Sequence, residues 1–287
     1  MKTIVRRSAM AASAVSLALM ASACGGEEST EPERSTTNST SAKEEQQAAE
    51  PKGPTAAELK SMLLKQGDAK GLELGEKDEA ADVYAQDSSA FIKADKQACL
   101  PLARAFMALP QGSPDATTGT GGVRGLPKKK HYDNPSEGME AMEKSFGLLA
   151  KIRMEMISLS SYHGQGAAQA LAGLKKAGTQ CSQGFTATPT KSFPKQTDKR
   201  QGMDGGFGDG PVKFSSVSAL PADWGDESAA WNITLPEQAG SDISVPVRVA
   251  AVRKGQVLAL FSTTSFNPAH KGQLPEKTIA AQLAKLN

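Results

Sequence analysis

The sequence predicts an α+β domain in which helices pack on one face of an antiparallel sheet, preceded by a signal peptide and a disordered tether. Three observations lead there. Strand-like runs rich in β-branched residues crowd the last third of the chain, two of them around a glycine turn. Two earlier runs repeat their apolar residues at helical spacing, and each carries a cysteine at one end. The first fifty or so residues contain a short apolar run and then nothing that can build a core. The expected organisation is therefore a signal peptide over 1–23, a tether over 24–54 and a single domain over 55–287.

The leader comes first. Lys2, Arg6 and Arg7 precede Ser8 to Ala23, a run of small or apolar residues interrupted only by serines. At roughly 16 residues the run falls short of the about 20 that a spanning helix needs, so it reads as a cleaved signal. Ala21-Ser22-Ala23-Cys24 resembles the lipobox of bacterial lipoproteins, with Ala21 where that pattern usually holds Leu. The resemblance implies that the Cys24 sulfur receives a diacylglycerol and that Cys24, further acylated by a chain such as palmitate, becomes the N-terminus. Two or more acyl chains hold a protein stably at a membrane without a span. The alternative is an ordinary secretory signal cut after Ala23. Arg6-Arg7 suggests twin-arginine export, but Ser8 and Ala9 follow where a large apolar residue is expected, which favours ordinary secretion.

Residues 27–54 hold no aromatic residue and no Val, Ile, Leu or Met, only Glu, Ser, Thr, Gln and other small or polar types. Such a stretch cannot offset the entropy of folding and acts as a tether. Of the 33 basic and 31 acidic residues, the leader holds three basic ones and the tether three basic and seven acidic, which leaves 27 against 24 for the domain. A nearly neutral domain argues against nucleic-acid binding, which concentrates basic residues on one face.

Within the domain, Cys99 to Pro110 reads as a short helix. Pro101 suits its first turn, Pro110 ends it, and Leu102, Ala105, Phe106 and Leu109 share a face. Ile152 to Tyr162 reads as a strand leading into a helix from Gln165 to Gln180, whose apolar face is Ala167, Ala170, Leu171, Leu174 and Ala177, extended by Cys181. Pro211 to Leu220 and Ala229 to Pro236 read as strands. Pro246 to Val252 and Gln256 to Thr264 form a hairpin about Arg253-Lys254-Gly255. Glu276 to Leu286 closes the chain as a helix with Ile279, Leu283 and Leu286 on one side. With Cys24 lipidated, Cys99 and Cys181 are the pair left to form a disulfide, in a compartment where disulfides persist; two buried free thiols are the alternative.

The stretch "MISLSSYHGQGAAQALAGLKKAGTQCSQGF", followed by "GDESAAWNITLP", "PVRVAAVRKGQVLALFS" and "LPEKTIAAQLAKL", resembles actinobacterial surface lipoproteins whose domain is similar to the extracellular sensor domain of PknH-type receptor kinases. The resemblance runs from about Leu72 to the C-terminus. It implies helices on an antiparallel sheet, a cleft, disulfide stapling and a ligand-sensing role. Those kinase domains tend to carry two disulfides where this chain can form one. Neither the glycine-rich loop nor the catalytic-loop signature of a kinase is in the sequence.

Motifs for chemistry are few. His131, His163 and His270 stand in no zinc-binding spacing, and no cofactor is expected. His163 follows Ser160-Ser161-Tyr162 at a strand end, but no GxSxG accompanies it, which leaves a hydrolase as the minor alternative. Gln201 to Pro211, rich in glycine, lacks the Lys-Ser/Thr of a phosphate loop and reads as a connection. Lys128 to Lys130 reads as a solvated loop, the alternative being contact with anionic lipid headgroups or wall polymers. Met154, Met156, Ser158, Ser160 and Tyr162 alternate onto one side of their strand and are the candidate lining of a ligand cleft, the alternative being core. The expected function is a non-catalytic ligand-binding or sensor-like lipoprotein on the extracytoplasmic face of the cell membrane. Its expected partners are the membrane, through the lipid, and a small-molecule or envelope ligand; a structural or partner-binding envelope lipoprotein is the alternative.

Overall fold

The computed structural model describes residues 51–75, 91–125, 152–190, 210–235, 245–265 and 273–286, all of them in one compact unit that begins at Ala48. The predicted leader with Cys24, the tether up to residue 50, His131, His270, Lys128 to Lys130 and residues 201–209 of the glycine-rich stretch lie outside the described residues. No helix among the described residues is long and apolar enough to cross a membrane.

Among the described residues four α-helices and ten strands follow in the order α1 (Ala56–Met62), β1 (Leu72–Leu74), β2 (Ile92–Ala94), α2 (Leu100–Phe106), β3 (Ala116–Arg124), β4 (Arg153–Ser161), α3 (Gly166–Gln180), β5 (Phe185–Pro189), β6 (Val212–Phe214), β7 (Ser216–Leu220), β8 (Glu227–Leu235), β9 (Val245–Lys254), β10 (Val257–Ser265) and α4 (Glu276–Leu283). Seven strands form one antiparallel sheet in the order β1-β3-β4-β10-β9-β8-β7, and β2-β5-β6 form a second, smaller one. The α+β class is the one the sequence predicts.

The helices, however, divide between both faces of the large sheet instead of sharing one. Every residue of β10 is buried. Leu258 and Leu260 pack with Leu102 of α2 and Leu171 of α3, whereas Val257, Ala259 and Phe261 pack with Leu59 of α1 and Ile279 of α4. The reason lies in the central strands, whose runs "VRVAAV" and "VLALF" do not alternate apolar with polar. Both sides must then be covered, since each such side chain taken out of water contributes about 1.5–3 kcal/mol.

The predicted strand over Pro211 to Leu220 is broken at Ser215, and its halves join different sheets. Ser215 donates its N–H to the Thr234 carbonyl at 2.8 Å. Phe214 turns inward, 5.0 Å from the Phe106 ring and 4.7 Å from that of Phe185. The small sheet thereby covers the same face as α2 and α3.

Cys99 and Cys181 are joined by a disulfide, with Cα atoms 5.7 Å apart and neither residue exposed, so the start of α2 is tied to the end of α3. On the opposite face, α4 is held by polar contacts. Arg124 Nε lies 2.6 Å from Glu155 Oε1, Arg124 donates to the Thr278 hydroxyl at 2.9 Å, and that hydroxyl donates to Glu155 Oε2 at 2.5 Å. Arg124 also donates to the Lys70 carbonyl. Gln282 bonds the Met62 carbonyl and the Leu64 N–H, fastening α4 to the end of α1.

Candidate functional site

Of the five residues predicted to line a cleft, all lie on the α2/α3 side of β4, as their alternation requires, but Ser158, Ser160 and Tyr162 are buried and Met154 and Met156 half-buried. Part of this surface serves as the seat of α2. Tyr162 donates its hydroxyl to the Gln111 carbonyl at 2.7 Å, and Ser262 on the neighbouring β10 donates to the Phe106 carbonyl at 2.6 Å. These carbonyls belong to the end of α2 and the turn beyond it, where Ala108 adopts φ +51°. Backbone acceptors at a helix end need donors, and side-chain hydroxyls supply them here. Burial pushes the Tyr162 phenol up to about 12, so it remains a donor at all ordinary pH values.

An opening lies elsewhere among the described residues, between the C-terminal half of α3 and the β7–β8 edge of the large sheet. It is a groove of about 530 Å³ that runs over the sheet border, lined on this face by Lys175, Gly178, Thr179, Ser182, Val217, Ala219, Ala229 and Trp231 and beyond the border by Leu220, Ala222, Ser228 and Ala230. Gly178 permits it. A Cβ at that position would lie 2.1 Å from Trp231 Nε1 and 2.9 Å from its Cδ1, so the indole and the helix backbone meet directly. Glycine inside a helix costs up to about 1 kcal/mol relative to alanine, and this contact is its reason for being there.

One end of the groove carries an ion-pair network. Lys175 Nζ lies 2.7 Å from Glu227 Oε1, and Arg253 reaches both Glu227 Oε2 at 3.5 Å and Asp226 Oδ2 at 3.4 Å. Asp226 also accepts the Gly255 N–H at 2.7 Å, fixing the β9–β10 turn. The Lys175 hydrogen bond holds the Glu227 carboxyl below its ordinary value, with Arg253 adding to it. Lys175, the only charged residue among the described lining residues, is thus already paired.

His163 is exposed at the turn between β4 and α3, while Ser160 and Ser161 are buried. Among the described residues no three His, Cys, Asp or Glu side chains come together as a metal site would require. The sequence reading missed the groove because its residues come from three separate elements. The one signal available was Gly178, inside an otherwise good helical run.

No family model matches the chain, and no curated protein matches it. Among solved structures it is similar to the extracellular domain of PknH from Mycobacterium tuberculosis, at 9% identity and a TM-score of 0.42, over 82% of this chain and 97% of that one.

Proposed function

We propose that this protein is a lipid-anchored, extracytoplasmic binding or sensor-like lipoprotein without catalytic activity of its own, and that its ligand occupies the groove between α3 and the β7–β8 edge. The groove is the observation that carries the reading. Its volume falls within the range of ligand sites, about 300–1,000 Å³, and it combines an indole, small side chains and hydroxyls. The fully buried disulfide supports folding in an oxidising compartment. The lipobox-like Cys24 supports attachment through acyl chains, the membrane being one partner and a small-molecule or envelope ligand the other.

Native mass spectrometry on the full chain, purified from the membrane fraction of an actinobacterial host, tests each part. Gentle conditions are expected to retain a ligand that denaturing conditions release, and the denatured chain is expected to start at Cys24 and to carry the mass of its acyl groups. A chain with no ligand under gentle conditions argues for the structural or partner-binding alternative. Cys24→Ser is expected to move the protein from the membrane to the soluble fraction.

A further inference from the structure

The groove lies against the free border of a β-sheet, and the two borders of that sheet are finished differently. At the β1 border the outward backbone groups are already taken: Gln66 accepts the Leu74 N–H at 2.9 Å and donates to the Leu72 carbonyl at 3.4 Å, standing in for a further strand. Edges closed in this way do not recruit other chains. At the β7 border the Val217 N–H donates outward to the Ser182 carbonyl at 3.2 Å. Because the direction of N–H and C=O groups alternates along an antiparallel strand, the Ala219 N–H and C=O point the same way. Ala219 is exposed, and among the described residues nothing bonds it on that side. Pro221, without an N–H, ends the row.

Resting on the reading of the groove as a binding site, we propose that its occupant is an extended, uncharged polypeptide segment that pairs with β7. The segment exchanges two backbone hydrogen bonds with Ala219, and the pairing stops short of Val217, which is buried and already bonded to Ser182 on that side. Alternate side chains of the segment then enter the groove over Gly178 and Trp231, as in strand addition generally. Charge selects the same occupant. Lys175 is matched by Glu227, and the remaining described lining is apolar or hydroxyl-bearing, so among the described lining residues no unmatched charge is offered to a charged side chain along β7.

The test is a titration of the ¹⁵N-labelled full chain with the acetylated and amidated peptide Thr-Val-Thr-Val-Thr, followed by amide shifts and hydrogen exchange. The same peptide N-methylated at alternate amides serves as control. The expected result is a shifted Ala219 amide with at least tenfold slower exchange, lost with the N-methylated peptide; in Ala219→Pro, a substitution that a sheet edge accommodates, the shifts the peptide induces at the Lys175 and Trp231 amides are expected to be lost. Equal binding of both peptides would overturn strand pairing while leaving the groove as a binding site. Absence of any response at Ala219 to either peptide would overturn the inference too. In that case a ligand retained in the native mass spectrum, whose removal shifts the Lys175 and Trp231 amides, keeps the groove reading, and no such ligand ends both.

Discussion

Gly178 and Trp231 occupy one shared volume: the place where a side chain would begin on Gly178 lies 2.1 Å from the indole nitrogen of Trp231. Five residues earlier in the same helix, a Cβ on Gly173 would have nothing within 4 Å. The same substitution at the two sites is therefore expected to act with opposite sign. Gly173→Ala should stabilise by about 0.5–1 kcal/mol through helix propensity, and Gly178→Ala should destabilise by about 1–3 kcal/mol through overpacking. Urea denaturation of both variants measures the difference. Trp emission should change in Gly178→Ala alone.

Glu155 is 1% exposed and receives both the Arg124 guanidinium and the Thr278 hydroxyl. Removing one partner of a buried charge pair leaves the other without compensation, so Glu155→Ala or Arg124→Met is expected to cost about 3–5 kcal/mol. Thr278→Val removes the shared hydroxyl and keeps the charges, for about 1–3 kcal/mol. Hydrogen exchange resolved along the chain should show α4 opening first in all three variants.

Loss of the Cys99–Cys181 bridge, which spans 82 residues, is expected to cost about 4–5 kcal/mol on the chain-entropy account. Cys99→Ser with Cys181→Ser should therefore lower the urea midpoint strongly. An unchanged midpoint would show that packing between α2 and α3 suffices without the bond.

Two limbs of the pH profile follow from named groups. The Tyr162 phenol, raised by burial to about 12, stays neutral in the folded chain while the unfolded phenol ionises near pH 10. Its contribution, about 2–3 kcal/mol, is complete below pH 10 and lost as the pH rises through about 12. Asp68 and Glu227 are lowered, foremost by the hydrogen bonds from Lys285 and Lys175. Their contributions are complete above the ordinary carboxylate range of about 4 and lost as the pH falls through their lower folded values. Tyr162→Phe should flatten the alkaline limb and leave the acid limb as it is.

The late strands, the β9–β10 hairpin, α3 and the pairing of Cys99 with Cys181 were legible because each has a local signal: apolar runs, a glycine at φ +56° in the turn, helical spacing, and one remaining pair of thiols. The capping box that starts α1 was equally legible and was missed. Thr55 donates its N–H to Glu58 Oε2 at 2.7 Å and accepts the Glu58 N–H at 3.4 Å, so the Thr-x-x-Glu pattern marked a helix. Strand β3, "ATTGTGGVR", was not legible, because its glycines serve a contact that sequence does not display: a Cβ on Gly122 would meet the Glu73 carbonyl of β1 at 2.7 Å. The cleft residues on β4 were correctly put on one face, but what covers that face is the end of α2 and the turn after it, a tertiary fact. The groove depends on a strand that changes sheets at Ser215, which no period in "VKFSSVSAL" announces.

Strand β4 lies against β10 along its whole length, from Ser161 opposite Val257 to Arg153 opposite Ser265. A polypeptide is made from its N-terminus, so β4 is complete long before its partner, with α3 and five further strands synthesised in between. Until β10 is added, β1-β3-β4 and β7-β8-β9 are two half-sheets with an open flank each, while both bridging cysteines already precede it in the chain. The last hairpin is thus a keystone: pairing across so long a stretch of chain slows folding in general, and a chain cut before Val257 is left with two unpaired flanks.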